Sequence, residues 1–161
     1  MGVSVLIAIL GIVAPSSRAG ESLRCWSFRT YEQRLSIATN QTRIEAGLKK
    51  LTIDPELSMA ARRHSHEMAE AGRTYHSDTG DIAPLLDGLW HAIGENVAVG
   101  GRVRSIHEMF LESPRHRENI FKRRWDRIGV GSVFEDGRNW VTVLFSDGSD
   151  LTTTLNRRYC A

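Results

Sequence analysis

The sequence lacks several signatures that would narrow its function at once. It contains no His-Glu-x-x-His pair and no glycine-flanked nucleophile elbow, so neither a zincin-type protease nor an elbow-type serine enzyme has a motif to rest on. No internal repeat or low-complexity tract is present, which removes repeat arrays and disordered chains from consideration. Aromatic residues are scarce, at 7% of the chain. None forms a stacking platform among the basic residues, which argues against a nucleic-acid partner. What remains is ordinary for a globular protein: 161 residues, 41% apolar and 25% charged, enough for one domain with a sizeable core.

Long apolar runs are missing except at the start. Val3 to Ala14 is almost wholly apolar and is followed by Pro15 and by Ser17-Arg18-Ala19. The run is too short to span a bilayer comfortably and matches a secretory signal, with small residues where a signal peptidase reads. Cleavage is expected after Ala19, giving a signal peptide over 1–19 and a single domain over 20–161 with no transmembrane anchor. The amino end has no Lys or Arg, so an uncleaved anchor is the alternative. Arg24 before Cys25 opposes a lipoprotein, because a small residue precedes a lipidated cysteine. Loss of Arg18 would take the net charge from +2 to 2 − 1 = +1, a balance that selects no polyanionic partner.

There are only two cysteines, Cys25 and Cys160, near opposite ends of the expected mature domain. Export to an oxidising compartment and the closeness of chain ends in compact domains predict a Cys25–Cys160 disulfide, worth about 4 kcal/mol in the chain-entropy model. Two free thiols are the alternative.

Local patterning gives helix, helix, short helix, loop, helix and two strands. Leu35, Ala38, Ile44 and Leu48 space an amphipathic helix over Thr30 to Lys50, with Gly47 near its end. Asp54-Pro55-Glu56 opens a second helix, Asp54 as N-cap and Pro55 in the first position. Leu57, Ala61, His64 and Met68 share one face of it, and Gly72 stops it. His64 therefore reads as a buried histidine hydrogen-bonded to backbone, and His66 as solvated. His91 and His107 have no companion motif. Arg73 to His76 has strand character, which puts His76 at a strand end. Arg102 to about Ser113 forms a further helix. Taking about 100° per residue from Ile106, its buried face gathers Met109, Phe110 and Ser113, while Glu108 and Glu112 point away. Arg127 to Phe134 and Asn139 to Phe145 form a hairpin across Glu135-Asp136-Gly137-Arg138, with Val141, Val143 and Phe145 alternating against Trp140, Thr142 and Leu144. Gly129 and Gly131 read as close-packing positions. Arg115, Arg117, Lys122, Arg123, Arg124 and Arg127 form a basic run suited to a solvated face or to anionic envelope polymers.

Three short motifs carry the chemistry. Tyr75-His76-Ser77, Gly94-Glu95-Asn96-Val97-Ala98 and Ser113-Pro114-Arg115-His116-Arg117-Glu118-Asn119-Ile120 each set a proton- or metal-competent side chain beside residues that position backbone. Together they suggest one site built from His76, Glu95 and His116. Gly94 removes bulk where a sharp turn is expected, and Asn96 holds that turn through its amide. Glu95 as an N-terminal helix residue is the structural alternative. Two imidazoles and a carboxylate suit a divalent cation such as zinc, or shared protons.

With Asn40 to Arg43, Leu57 to Ser65 and Ile128-Gly129-Val130-Gly131, these motifs resemble the CAP superfamily of cysteine-rich secretory proteins, antigen 5 and pathogenesis-related proteins, in its bacterial SCP-like branch. The resemblance covers roughly residues 36 to 146. It implies an α+β fold, an α-β-α sandwich with a small antiparallel sheet between helix layers. It places His76 in the family cavity and makes the sequon Asn40-Gln41-Thr42 a packing position. Eukaryotic members carry a second cavity glutamate three residues after an aromatic on the last long helix. Phe110 takes the aromatic position here, so that place falls on Ser113. The resemblance implies a secreted monomer that binds a small apolar or lipid-like ligand or an envelope component, with His76, Glu95, Asn96, Ser113 and His116 lining the cleft. A metal-dependent hydrolase, a peptidase or cell-wall enzyme using the same cleft, is the alternative.

Overall fold

The computed structural model describes residues 29–82 and 90–148. The signal segment over 1–19 and both cysteines, Cys25 and Cys160, lie outside the described residues.

Helix α1, Thr30–Glu45, stops before the expected Lys50. Gly47 adopts a left-handed backbone (φ +69°), and the Leu48 N–H turns back to the Arg43 carbonyl at 2.9 Å, closing the helix as a glycine C-terminal motif does. Arg43, fully buried, then donates to the Ile120 and Lys122 carbonyls at 2.7 and 2.9 Å. Asn40 exchanges two hydrogen bonds with the backbone of Leu51. The sequon is thus a packing position, with Asn40 buried.

Strand β1, Thr52–Ile53, leads into helix α2, Pro55–Ala71. Asp54 caps α2 by accepting from the Glu56 and Leu57 N–H groups at 2.8 and 3.2 Å, and Gly72 ends it at φ +63°. The predicted face is buried: Leu57, Ala61, His64 and Met68 all lie inside. A short helix α3, Thr79–Ile82, precedes strand β2, Ile93–Gly100. Helices α4, Val103–Glu112, and α5, Pro114–Phe121, follow. Strands β3, Arg127–Glu135, and β4, Arg138–Ser146, complete the order. Asp136 (φ +50°) and Gly137 (φ +75°) make the β3–β4 connection, the two-residue geometry that an Asp-Gly pair favours.

The sheet runs β1-β3-β4-β2, with β1 parallel to β3 and the other pairs antiparallel. Alternate residues of β4 feed two separate cores. Val141, Val143 and Phe145 join Leu35, Ile106, Phe110, Ile120 and Trp125 on one face. On the other, Leu144 packs with Leu57 and Ala61, and Trp140 with Met68 and Val97. This is an α-β-α sandwich, α1, α4 and α5 covering one side and α2 the other. Because β4 is covered on both faces, its residues from Trp140 to Ser146 are all buried, Thr142 included; the alternation marks two cores rather than an inside and an outside.

The α2 layer sits against β3 at backbone distance. A Cβ on Gly129 would collide with the backbone of Leu57, and one on Gly131 with the backbone of Ala61 and Arg62, so both glycines are packing residues as expected.

Candidate functional site

The site wraps around the free edge of β2, where three pieces of chain meet. Glu95 and Asn96 lie on β2 itself, paired with Leu144 and Val143. This corrects the expected turn, and equally the helical alternative for Glu95. Gly94 is needed for another reason than turning. A Cβ there would stand 2.8 Å from the Trp125 ring and 2.9 Å from Asn119 Oδ1, so the glycine admits the α5–β3 junction onto the strand. His76 sits in an irregular segment over 74–78 rather than at a strand end. Pro114 both ends α4 and opens α5, so the third motif starts a helix, where a proline in the first turn lacks no needed N–H.

Strand alternation sends Glu95 and Asn96 to opposite faces. Asn96, fully buried, donates to the His116 carbonyl at 2.9 Å and accepts from Asn119 Nδ2 at 2.9 Å. Asn119 also donates to the Glu95 carbonyl at 3.0 Å, and its own carbonyl takes the Trp125 indole N–H at 3.0 Å. This network fixes α5, and with it His116, against β2. Ahead of the strand, Asp147 accepts from the His91 and Ala92 N–H groups at 2.8 Å each and pairs with Arg124. Partial burial pushes that carboxyl up, but the two N–H groups and the guanidinium outweigh it and hold its pKa near about 2.

On the other face, Glu95 is 10% exposed and His76 is 60% exposed. His76 Nδ1 lies 2.8 Å from Glu95 Oε1, and the Ser77 backbone N–H reaches Oε1 and Oε2 at 3.1 and 3.3 Å. A carboxylate only accepts, so His76 carries its proton on Nδ1 and leaves Nε2 as the free acceptor. His64 donates through Nε2 to the Tyr75 carbonyl at 2.8 Å, as a buried helix histidine was expected to do, and stands 4.0 Å from Glu95 Oε1. The His76 and His116 ring centroids are 6.2 Å apart, and His116 meets the Phe110 ring edge-on at 5.2 Å. Burial first, then the neighbouring His76, lowers the pKa of His116, favouring the neutral imidazole.

All three predicted residues thus come to one place, yet Glu95 turns toward His76 and Ser77 and not toward a point shared with His116. Among the described residues no three His, Cys, Asp or Glu side chains are grouped to hold a metal ion. Two imidazoles without a third free donor among these residues fit zinc poorly. Ser113 is half-buried at the α4–α5 junction, where its carbonyl accepts the Arg117 N–H at 2.8 Å. Glu108 and Glu112 are exposed as predicted. Met109, expected inside, is 45% exposed. The buried side of α4 is rotated to include His107, which bonds Thr42 Oγ1 at 2.8 Å. Contact between α4 and α1 decides this rotation, and His107, three residues before Phe110, was the available signal for it.

The fold is that of the CAP α-β-α sandwich, and the family model for the cysteine-rich secretory protein family matches residues 37–145. The chain belongs to that family. It is 32% identical over 121 residues to YkwD of Bacillus subtilis, an alignment covering 71% of this chain and 47% of YkwD; the chain spans about half the length of that relative. Among solved structures, an outer surface protein of Borrelia burgdorferi superposes with a TM-score of 0.66 at 23% identity, over 73% of this chain and 92% of that one. An extracellular SCP-domain protein of Bacillus anthracis gives 0.61 at 24% identity, over 72% and 40%. No helix among the described residues is long and apolar enough to cross a membrane.

Proposed function

We propose that this chain is an exported, non-catalytic binding domain that works as a monomer and takes a small amphipathic ligand or envelope component in the cleft bordered by His76 and His116. The observation that carries the reading is the use of Glu95. Its carboxylate is engaged by His76 Nδ1 and by the Ser77 N–H, which organises the cleft wall. Among the described residues no side-chain nucleophile is partnered to His76. Ser77 Oγ is buried without a hydrogen-bond partner among the described residues, so none of them activates the neighbouring hydroxyl for attack, as a nucleophile needs. The half-buried His116 ring, backed by Phe110, and the exposed His76 imidazole give the cleft an apolar and a polar side, the mixed lining expected of a small-molecule cleft. Export is supported by the apolar run over Val3 to Ala14 and by similarity to proteins described as extracellular and outer-surface.

Native mass spectrometry of the mature protein, with organic extraction of whatever it carries, tests this. A co-purified small molecule present in wild type and lost in His76→Ala is the expected result; recovery of an apo-protein with no retained molecule in any preparation counts against it.

One observation favours a second reading. An imidazole whose Nδ1–H is held by a carboxylate, with Nε2 free, has the arrangement of a general base. As a hydrolase the chain would turn over a peptide or glycan substrate with a water placed by His76, and Glu95→Gln would abolish the turnover. Retained ligand binding in Glu95→Gln without any turnover in wild type separates the two.

A further inference from the structure

The segment over 75–78 has two sides, and the cleft uses only one of them. His76 faces Glu95 and His116, while Tyr75 and Ser77, displaced by one residue in either direction, line a separate hollow of about 300 Å³ against α2. That volume sits at the small end of ligand pockets. We propose that this hollow is a binding subsite for one neutral sugar ring, a function that goes beyond the cleft reading and does not depend on it.

The chemistry of the lining selects the ligand class. Its inner part is apolar, from Ala60 and Ile82, and suits the C–H face of a pyranose. The rim carries both signs. Arg63 Nε pairs with Glu67 Oε1 at 2.9 Å, and Asp78, exposed, accepts the Gly80 N–H at 2.9 Å. Glu67 and Asp78 repel an anion, Arg63 opposes a cation, and the charged rim rejects an alkyl chain. Hydroxyl groups both donate and accept, so a sugar can bond to Arg63, Glu67 and Asp78 together without adding charge. Ser77 belongs to the same wall.

The subsite is also wired to the cleft. The Ser77 N–H binds both Glu95 oxygens, and His64, on the hollow's α2 wall, holds the Tyr75 carbonyl.

The test is a backbone-amide NMR titration of the mature protein with methyl α-glucoside, methyl β-galactoside and N-acetylglucosamine. The expected result is saturable shifts at Arg63 and at Ser77 and Asp78 for at least one sugar. Affinity should weaken by about tenfold in Arg63→Ala and Glu67→Gln, and should persist in His76→Ala, which removes only the cleft side. Absence of saturation at those amides with all three sugars overturns the proposal. So does saturation there by inorganic phosphate, putrescine or octanoate in place of sugar, or sugar binding indifferent to both rim variants. Loss of cleft ligand in His76→Ala with sugar binding intact keeps the two readings distinguishable.

Discussion

His107 Nε2 lies 2.8 Å from Thr42 Oγ1 across the α1–α4 contact, while its Nδ1 is buried without a partner among the described residues. The residue is only 9% exposed. Burial lowers its pKa below the ordinary 6.5, the nearby Glu108 opposing more weakly. The unfolded chain therefore binds this proton more readily than the folded one, so stability is fully present above about pH 6.5 and falls as the pH drops through the depressed folded value. His116, lowered in the same direction, adds to the trend. Denaturation midpoints followed from neutral to mildly acidic pH should decline in wild type and decline less in His107→Gln, which keeps a polar partner for Thr42 but does not titrate. An equal decline in both proteins would remove His107 from the account.

Two of the three close-packing sheet glycines, Gly131 and Gly94, predict a graded series. In Gly131→Ala the new Cβ meets the backbone of Ala61 and Arg62, which cannot yield without moving α2 off β3. In Gly94→Ala it meets side-chain atoms of Trp125 and Asn119 at 2.8 and 2.9 Å, which can shift. Overpacking costs typically ~1–3 kcal/mol and more where backbone must move. Gly131→Ala should fall at or above the top of that range and Gly94→Ala near its bottom, measured by urea unfolding. Equal costs would contradict this difference in packing. Gly94→Ala should in addition disturb the amide resonances of Asn119 and His116.

The His76–Glu95 pair makes a prediction about proton position. Long-range ¹H–¹⁵N spectra of the imidazoles should show neutral His76 as the Nδ1-protonated tautomer in wild type. Glu95→Gln, whose side-chain amide is a weaker acceptor and also a donor, should shift it toward the Nε2-protonated form common in free histidine. Glu95→Ala leaves the Ser77 N–H without its acceptor and should cost about 1–3 kcal/mol. A wild-type spectrum dominated by the Nε2–H form would refute the geometry.

Much of this protein was legible from sequence because its signals are local. Asp54-Pro55 starts a helix, Gly72 stops one and Asp136-Gly137 turns a hairpin through interactions within a few residues. Gly129 and Gly131 announced close contact by having no side chain to place. Spaced motifs likewise named His76, Glu95 and His116 as neighbours. Their roles were another matter. Glu95 lies in a strand because β2 pairs with β4 from the far end of the domain, and no property of Gly94-Glu95-Asn96 itself states that partner. His107 is buried and Met109 exposed because α1 lies beside α4, which rotates the helix's inner face away from its most apolar direction. Glu95 serves His76 and Ser77 instead of converging with His116 because β2 alternation sends it to the α2 side of the sheet. Local chemistry chose the elements and the residues that could react; only packing across long stretches of chain decided which face each one presents.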